Sequence, residues 1–148
     1  MAKTTETRVT EMWRYEPGTT KLELPLYSVG VSAGFPSPAD DSLEKNLSLD
    51  ELLIKHSAAT YFVRVQGDSM VRAGIHSGDI LVVDRAIEPR SGNVVIALID
   101  GEFVVKRFNR SEGKCYLLAE NPAFKPIEVT ESMNMEVRGV VTYVIHKV

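Results

Sequence analysis

The sequence is short of several residue types at once. It has one cysteine, three histidines, one tryptophan and 7% aromatic residues in 148. A lone Cys115 excludes an intramolecular disulfide and fits a reducing compartment. The expected role of Cys115 is that of a small, half-buried strand residue before Tyr116. The longest aliphatic run, Val94 to Ile99, is far short of the roughly 20 residues that cross a bilayer as a helix. The Thr-, Glu- and Arg-rich start carries no secretion pattern, so a cytoplasmic protein without membrane contact is expected. Basic excess is missing too: the net charge of −3 argues against direct, sequence-specific DNA binding as the main activity. His56, His76, His146 and Cys115 lack the paired spacing of a metal site. Asp40-Asp41 and the other acids lack the regular spacing of a calcium loop. No metal and no cofactor is expected.

What is present is a chain of single-domain size with 44% hydrophobic residues, enough for one sizeable core. From Met1 to about Val31 apolar residues are sparse and without helical period, although Lys21 to Leu26 could be a short extended piece. This reads as an arm. Gly30 to Asp41 is dense in Gly, Ser, Pro and Asp, a composition that resists helix and central strand alike and predicts an exposed connector. Ser48-Leu49-Asp50-Glu51 is a capping-box pattern, predicting a helix over about 49–55 that buries Leu49, Leu52 and Leu53.

Beyond His56 the pattern is strands with turn punctuation: 61–66, 80–84, 94–99, 102–108, 115–119, 127–129 and 137–146. Asp100-Gly101 between two β-branched runs predicts a hairpin with a type I′ turn, whose positive φ angles Asp and Gly tolerate. The terminal run, with Val137, Val141, Tyr143 and Ile145 on one face and Val140 and Val144 on the other, is apolar on both sides. That suits a central strand or a dimer contact. The fold class is mainly β with one short helix and an extended N-terminal arm.

Candidate chemistry centres on Gly67-Asp68-Ser69-Met70, directly after the strand Tyr61 to Gln66. A serine displayed there as a nucleophile needs a base, and no histidine is placed to serve. On Glu102-Phe103-Val104-Val105-Lys106-Arg107-Phe108, alternation puts Lys106 with Val104 and Phe108, and Arg107 with Phe103 and Val105. One cation must lie among apolar neighbours. A guanidinium stays charged in any plausible site, whereas a lysine can be desolvated to the neutral amine, so Lys106 is the better candidate to be drawn inward. Taken alone, the same residues also describe a snorkelling lysine and a plain Gly-Asp-Ser turn.

Read together, Gly67-Asp68-Ser69-Met70, Gly74-Ile75, Gly78-Asp79 before Ile80 to Asp84, Gly101 to Lys106, and Asn121-Pro122-Ala123-Phe124-Lys125-Pro126-Ile127 resemble the LexA and UmuD family of self-cleaving serine peptidases. The resemblance covers about Val31 to Val148. It implies a β-rich peptidase domain, with Ser69 as nucleophile, Lys106 as general base and the backbone amides of Asp68 and Ser69 as oxyanion hole. It also implies self-cleavage at the small-residue–Gly pair Ala33-Gly34, dividing the chain into a removable arm, 1–33, and a peptidase and dimerisation domain, 34–148. Too few residues precede Gly34 for the helix-turn-helix domain of the repressors, so the chain looks like the UmuD branch. For that branch the resemblance implies a homodimer, stimulation of cleavage by the RecA filament on single-stranded DNA, and assembly with a UmuC-like Y-family polymerase into an error-prone translesion enzyme of the SOS response. The competing readings are a non-catalytic β-domain adaptor, a Ser-Lys peptidase acting on another protein, and a signal-peptidase-like enzyme, which would need a membrane association that the sequence does not display.

Overall fold

The computed structural model describes residues 4–18, 23–27 and 43–148. By contacts the chain separates into two compact units. One lies within Glu16–Lys55; the other joins the described residues up to Tyr15 to His56–Val148.

The smaller unit contains an antiparallel pair, β2 (Glu23–Tyr27) and β3 (Leu43–Ser48), in which Leu24 stands opposite Leu47. The helix α1 (Leu49–Leu53) follows directly. Ser48 caps it as its position predicts, its Oγ accepting the Glu51 amide at 3.4 Å, a cap generally worth about 1 kcal/mol. The expected burial does not hold: Leu49 and Leu52 are 40% and 43% exposed and Leu53 is only half-buried. A five-residue helix makes little more than one turn, and here it packs on β3, which leaves these two leucines open.

The larger unit is built on an eight-stranded sheet. Its strands are β1 (Arg8–Arg14), β4 (Thr60–Gln66), β5 (Ile80–Asp84), β6 (Val94–Ile99), β7 (Glu102–Ser111), β8 (Lys114–Leu118), β9 (Ile127–Glu128) and β10 (Met135–Ile145). The order is β1-β4-β5-β10-β6-β7-β8-β9, and β1 also pairs with β7 at Arg8 and Val104. That extra pairing closes six of the strands into a ring, which leaves no free edge on either β4 or β7 at that point. Seven of these strands follow the expected runs to within three residues. The eighth, β1, falls in the segment that composition marks as an arm.

Alternation along the strands sends one set of side chains into each of two apolar clusters. Val63, Val65, Met70, Leu81, Ile96 and Val105 share one; Val95, Ala97, Val104, Phe108, Leu117 and Val140 share the other. β10 runs centrally between β5 and β6. Its register slips at Val137/Gly139 and Val141/Tyr143, bulges that break a strict two-face alternation. The β6–β7 hairpin turns at Asp100 and Gly101 with φ of 47° and 89°, the two positive angles of a type I′ turn.

Candidate functional site

Ser69 leaves the end of β4 in a tight turn that begins at Gly67, where φ is +119°. The turn is tied down from several sides. The Gly67 amide donates to Ser77 Oγ at 3.2 Å, the Glu120 amide donates to the Ser69 carbonyl at 2.8 Å, and Asn121 Nδ2 donates to the Asp68 carbonyl at 2.9 Å. Met70 packs fully buried beneath it. Ser69 itself is wholly buried.

Lys106 lies on β7 at 1% exposure, while Arg107 faces the other way at 31% and binds Glu120 and the Gly92 carbonyl. The inward lysine and outward arginine match the expectation from their chemistry: the ammonium carries a flexible stem and the guanidinium keeps its charge. The Lys106 ammonium lies 5.7 Å from the Phe124 ring centre.

Ser69 and Lys106 are brought together by a residue that the sequence reading did not single out. Glu6 Oε1 accepts from Ser69 Oγ at 2.9 Å and pairs with Lys106 Nζ at 2.7 Å. Its neighbours complete the arrangement. The Thr7 amide donates to Ser69 Oγ at 2.9 Å, and the Ser69 amide donates to Thr7 Oγ1 at 3.0 Å. The Asp68 amide donates to the Thr5 carbonyl at 2.9 Å, and the Thr5 amide donates to Asp68 Oδ1 at 2.7 Å. On the far side the Val105 amide donates to the Thr7 carbonyl at 3.1 Å. Residues 5–7 therefore lie as an extended segment between Asp68-Ser69 and β7. A polar Thr-Glu-Thr run has no apolar period from which this placement could be read.

Gly67 makes the approach possible. A Cβ there would lie 2.4 Å from the Glu6 carbonyl oxygen and 2.7 Å from the Thr7 Cα, so only a hydrogen at this position leaves room for a peptide backbone beside the serine.

Ala33 and Gly34 fall outside the described residues. His56 Nδ1 and Asp84 Oδ2 are 2.6 Å apart, as are His146 Nδ1 and Asp79 Oδ1. Both aspartates are buried and both imidazoles half exposed, so two of the histidines serve to satisfy core carboxylates. Cys115 is half-buried on β8, and burial raises its thiol pKa, opposed by Arg110, which keeps it a thiol rather than a reactive thiolate.

The Peptidase S24-like family model matches residues 25–142. Protein ImpA of Salmonella typhimurium is 45% identical over 129 residues, covering 83% of each chain. Protein SamA of Salmonella typhimurium strain LT2 is 47% identical over 123 residues, covering 83% of this chain and 85% of its own. The LexA repressor of Ectopseudomonas mendocina is 38% identical over 135 residues, covering 90% of this chain and 66% of the repressor. The buried serine and lysine both fall inside the matched stretch, and the chain belongs to the Peptidase S24-like family.

Proposed function

We propose that the protein is a self-cleaving Ser-Lys peptidase that cuts its own Ala33-Gly34 bond. The observation that most supports this reading is the burial of Ser69 and Lys106 against one carboxylate oxygen. The amides of Asp68 and Ser69 face the groove between the Ser69 turn and β7 in which residues 5–7 lie.

With the connector seated in that groove, Ser69 Oγ attacks the Ala33 carbonyl carbon as its proton passes to the neutral Nζ of Lys106. The developing oxyanion takes hydrogen bonds from the Asp68 and Ser69 amides, each such donor contributing about 3 to 4 kcal/mol in comparable sites. Collapse breaks the C–N bond, and the Gly34 nitrogen leaves with the proton returned by Lys106. Water then attacks the Ser69 ester, giving up a proton to Lys106; collapse breaks the ester C–Oγ bond, Oγ takes that proton back from Lys106, and Ala33 leaves as a carboxylate. Small side chains flanking the bond let it lie close to Ser69 beside Gly67.

On this reading 1–33 is the released arm and 34–148 the product. By the resemblance to the UmuD branch, the product is a homodimer in the cytoplasm. It joins a UmuC-like Y-family polymerase in SOS mutagenesis, and a RecA filament on single-stranded DNA stimulates cleavage by favouring the docked connector.

Intact-mass spectrometry tests the reading. Wild type, Ser69→Ala and Lys106→Ala are incubated at about pH 7 and about pH 10, the higher value lying near the ordinary lysine pKa. A fragment beginning at Gly34 in wild type, faster at the higher pH and absent from both variants, is the expected result. Wild type that stays whole at both pH values, and with RecA, ATP and single-stranded DNA, returns the protein to a non-catalytic adaptor.

A further inference from the structure

The groove beside Ser69 is filled by the chain's own residues 5–7, and every group that the proposed reaction needs is engaged by them. The serine hydroxyl donates to Glu6 and accepts the Thr7 amide. The lysine is ion-paired with Glu6 at 2.7 Å, and an ammonium has no lone pair with which to take a proton. The Asp68 amide holds the Thr5 carbonyl, and the Ser69 amide holds Thr7 Oγ1. Thr7 is fully buried in this arrangement.

The segment lies extended beside Ser69, and the Ser69 amide is taken by one of its hydroxyls and not by a peptide carbonyl. The Glu6 carbonyl oxygen lies over Gly67, and the Ser69 amide is occupied by the Thr7 hydroxyl. Attack on the Glu6-Thr7 bond would leave its oxyanion without that donor. The family match begins at residue 25, so this segment lies outside the stretch that the family model describes.

We infer that residues 5–7 act as a built-in competitive inhibitor, which must leave the groove before the Ala33-Gly34 connector can enter it. The inference rests on the Ser69-Lys106 reading above. Two segments of one chain cannot occupy the same β-edge and the same two amides together. The apparent rate of self-cleavage is therefore reduced by the fraction of molecules in which residues 5–7 are docked. Glu6 is the group that makes the docked state specific, since it neutralises the buried Lys106 charge and accepts from the serine with the same oxygen.

The test uses the full-length chain with Glu6→Gln, which keeps size and removes charge, and Glu6→Lys, which sets a cation against Lys106. Three quantities are read at about pH 7, where an ordinary lysine is charged. They are the rate of appearance of the Gly34 fragment, the rate at which a small fluorophosphonate labels Ser69, and hydrogen-exchange protection of the Thr7 and Val105 amides. Removing one charge-assisted contact of this kind should speed both cleavage and labelling by about tenfold or more, with Glu6→Lys losing protection at both amides. If the amides lose protection while cleavage and labelling keep their wild-type rates, the dyad stands and the inhibitor role is overturned. Folded variants and wild type that neither cut nor label, even at about pH 10, remove the dyad reading and this inference with it.

Discussion

Ser69 Oγ and Lys106 Nζ meet at a single oxygen of Glu6, at 2.9 Å and 2.7 Å. Two residues 37 positions apart in a serine peptidase family chain are thus held by a third that stands far upstream of both. Lys106 is 1% exposed, whereas the Glu6 side chain is 22% exposed, so the carboxylate can turn to water but the ammonium cannot.

That asymmetry sets the outcome of a double-mutant cycle. Lys106→Met fills the site with an apolar chain of similar length and removes the buried charge, so it should leave the unfolding free energy within about 1 kcal/mol of wild type. Glu6→Gln alone should cost about 1 to 3 kcal/mol, because it leaves the ammonium without its partner. Combined with Lys106→Met, it should cost almost nothing. Urea unfolding of the four proteins reads the coupling; additive effects would show that the pair contributes nothing specific.

Asn121 holds the carbonyl of Asp68 through its Nδ2 at 2.9 Å. Asn121→Ala should therefore slow self-cleavage by about tenfold through loosened positioning of the turn. The loss of stability should be only about 1 kcal/mol. A cleavage assay run beside thermal unfolding separates the two effects.

Tyr61 donates its hydroxyl to the Arg138 carbonyl at 3.0 Å. Burial raises its pKa from 10.0 to about 12, partly offset by Arg85 and Arg138. The folded phenol therefore keeps a proton that the unfolded chain gives up above pH 10. Its contribution is complete below the unfolded pKa of 10.0 and is lost as pH rises towards about 12. Tyr61→Phe should flatten the fall of stability across that window, by less than the full linkage value because the ring is partly solvated. Urea midpoints measured at steps across the window give the slope.

Gly139 sits at the first bulge of β10, where a Cβ would lie 2.5 Å from Val83 Cγ1. Gly139→Ala should cost about 1 to 3 kcal/mol by overpacking. Val83→Ala in the same chain should recover part of that loss, although it costs stability on its own. Calorimetry of both single variants and the double variant checks the sign of the coupling.

Much of the barrel was legible in the residues. β-branched runs between turn residues gave strands β4 to β8 nearly to their ends, because each is a local pattern of alternation and punctuation. The Asp-Gly hairpin and the Ser48 cap are equally local, each decided by the chemistry of a few adjacent residues. The inward lysine followed from comparing two cations on one strand. The exposed leucines of α1 did not follow, because helical spacing says which residues share a face but not whether anything covers it.

Which segments become strands, and which serine and lysine are candidates for chemistry, follows from short-range periodicity and side-chain chemistry. The closing of the ring by Arg8–Arg14 between β4 and β7, and with it the reach of Glu6 to Ser69 and Lys106, comes from long-range pairing. Those contacts join residues about fifty to one hundred positions apart, and no local pattern encodes a pairing whose energy comes from a buried charge finding its partner.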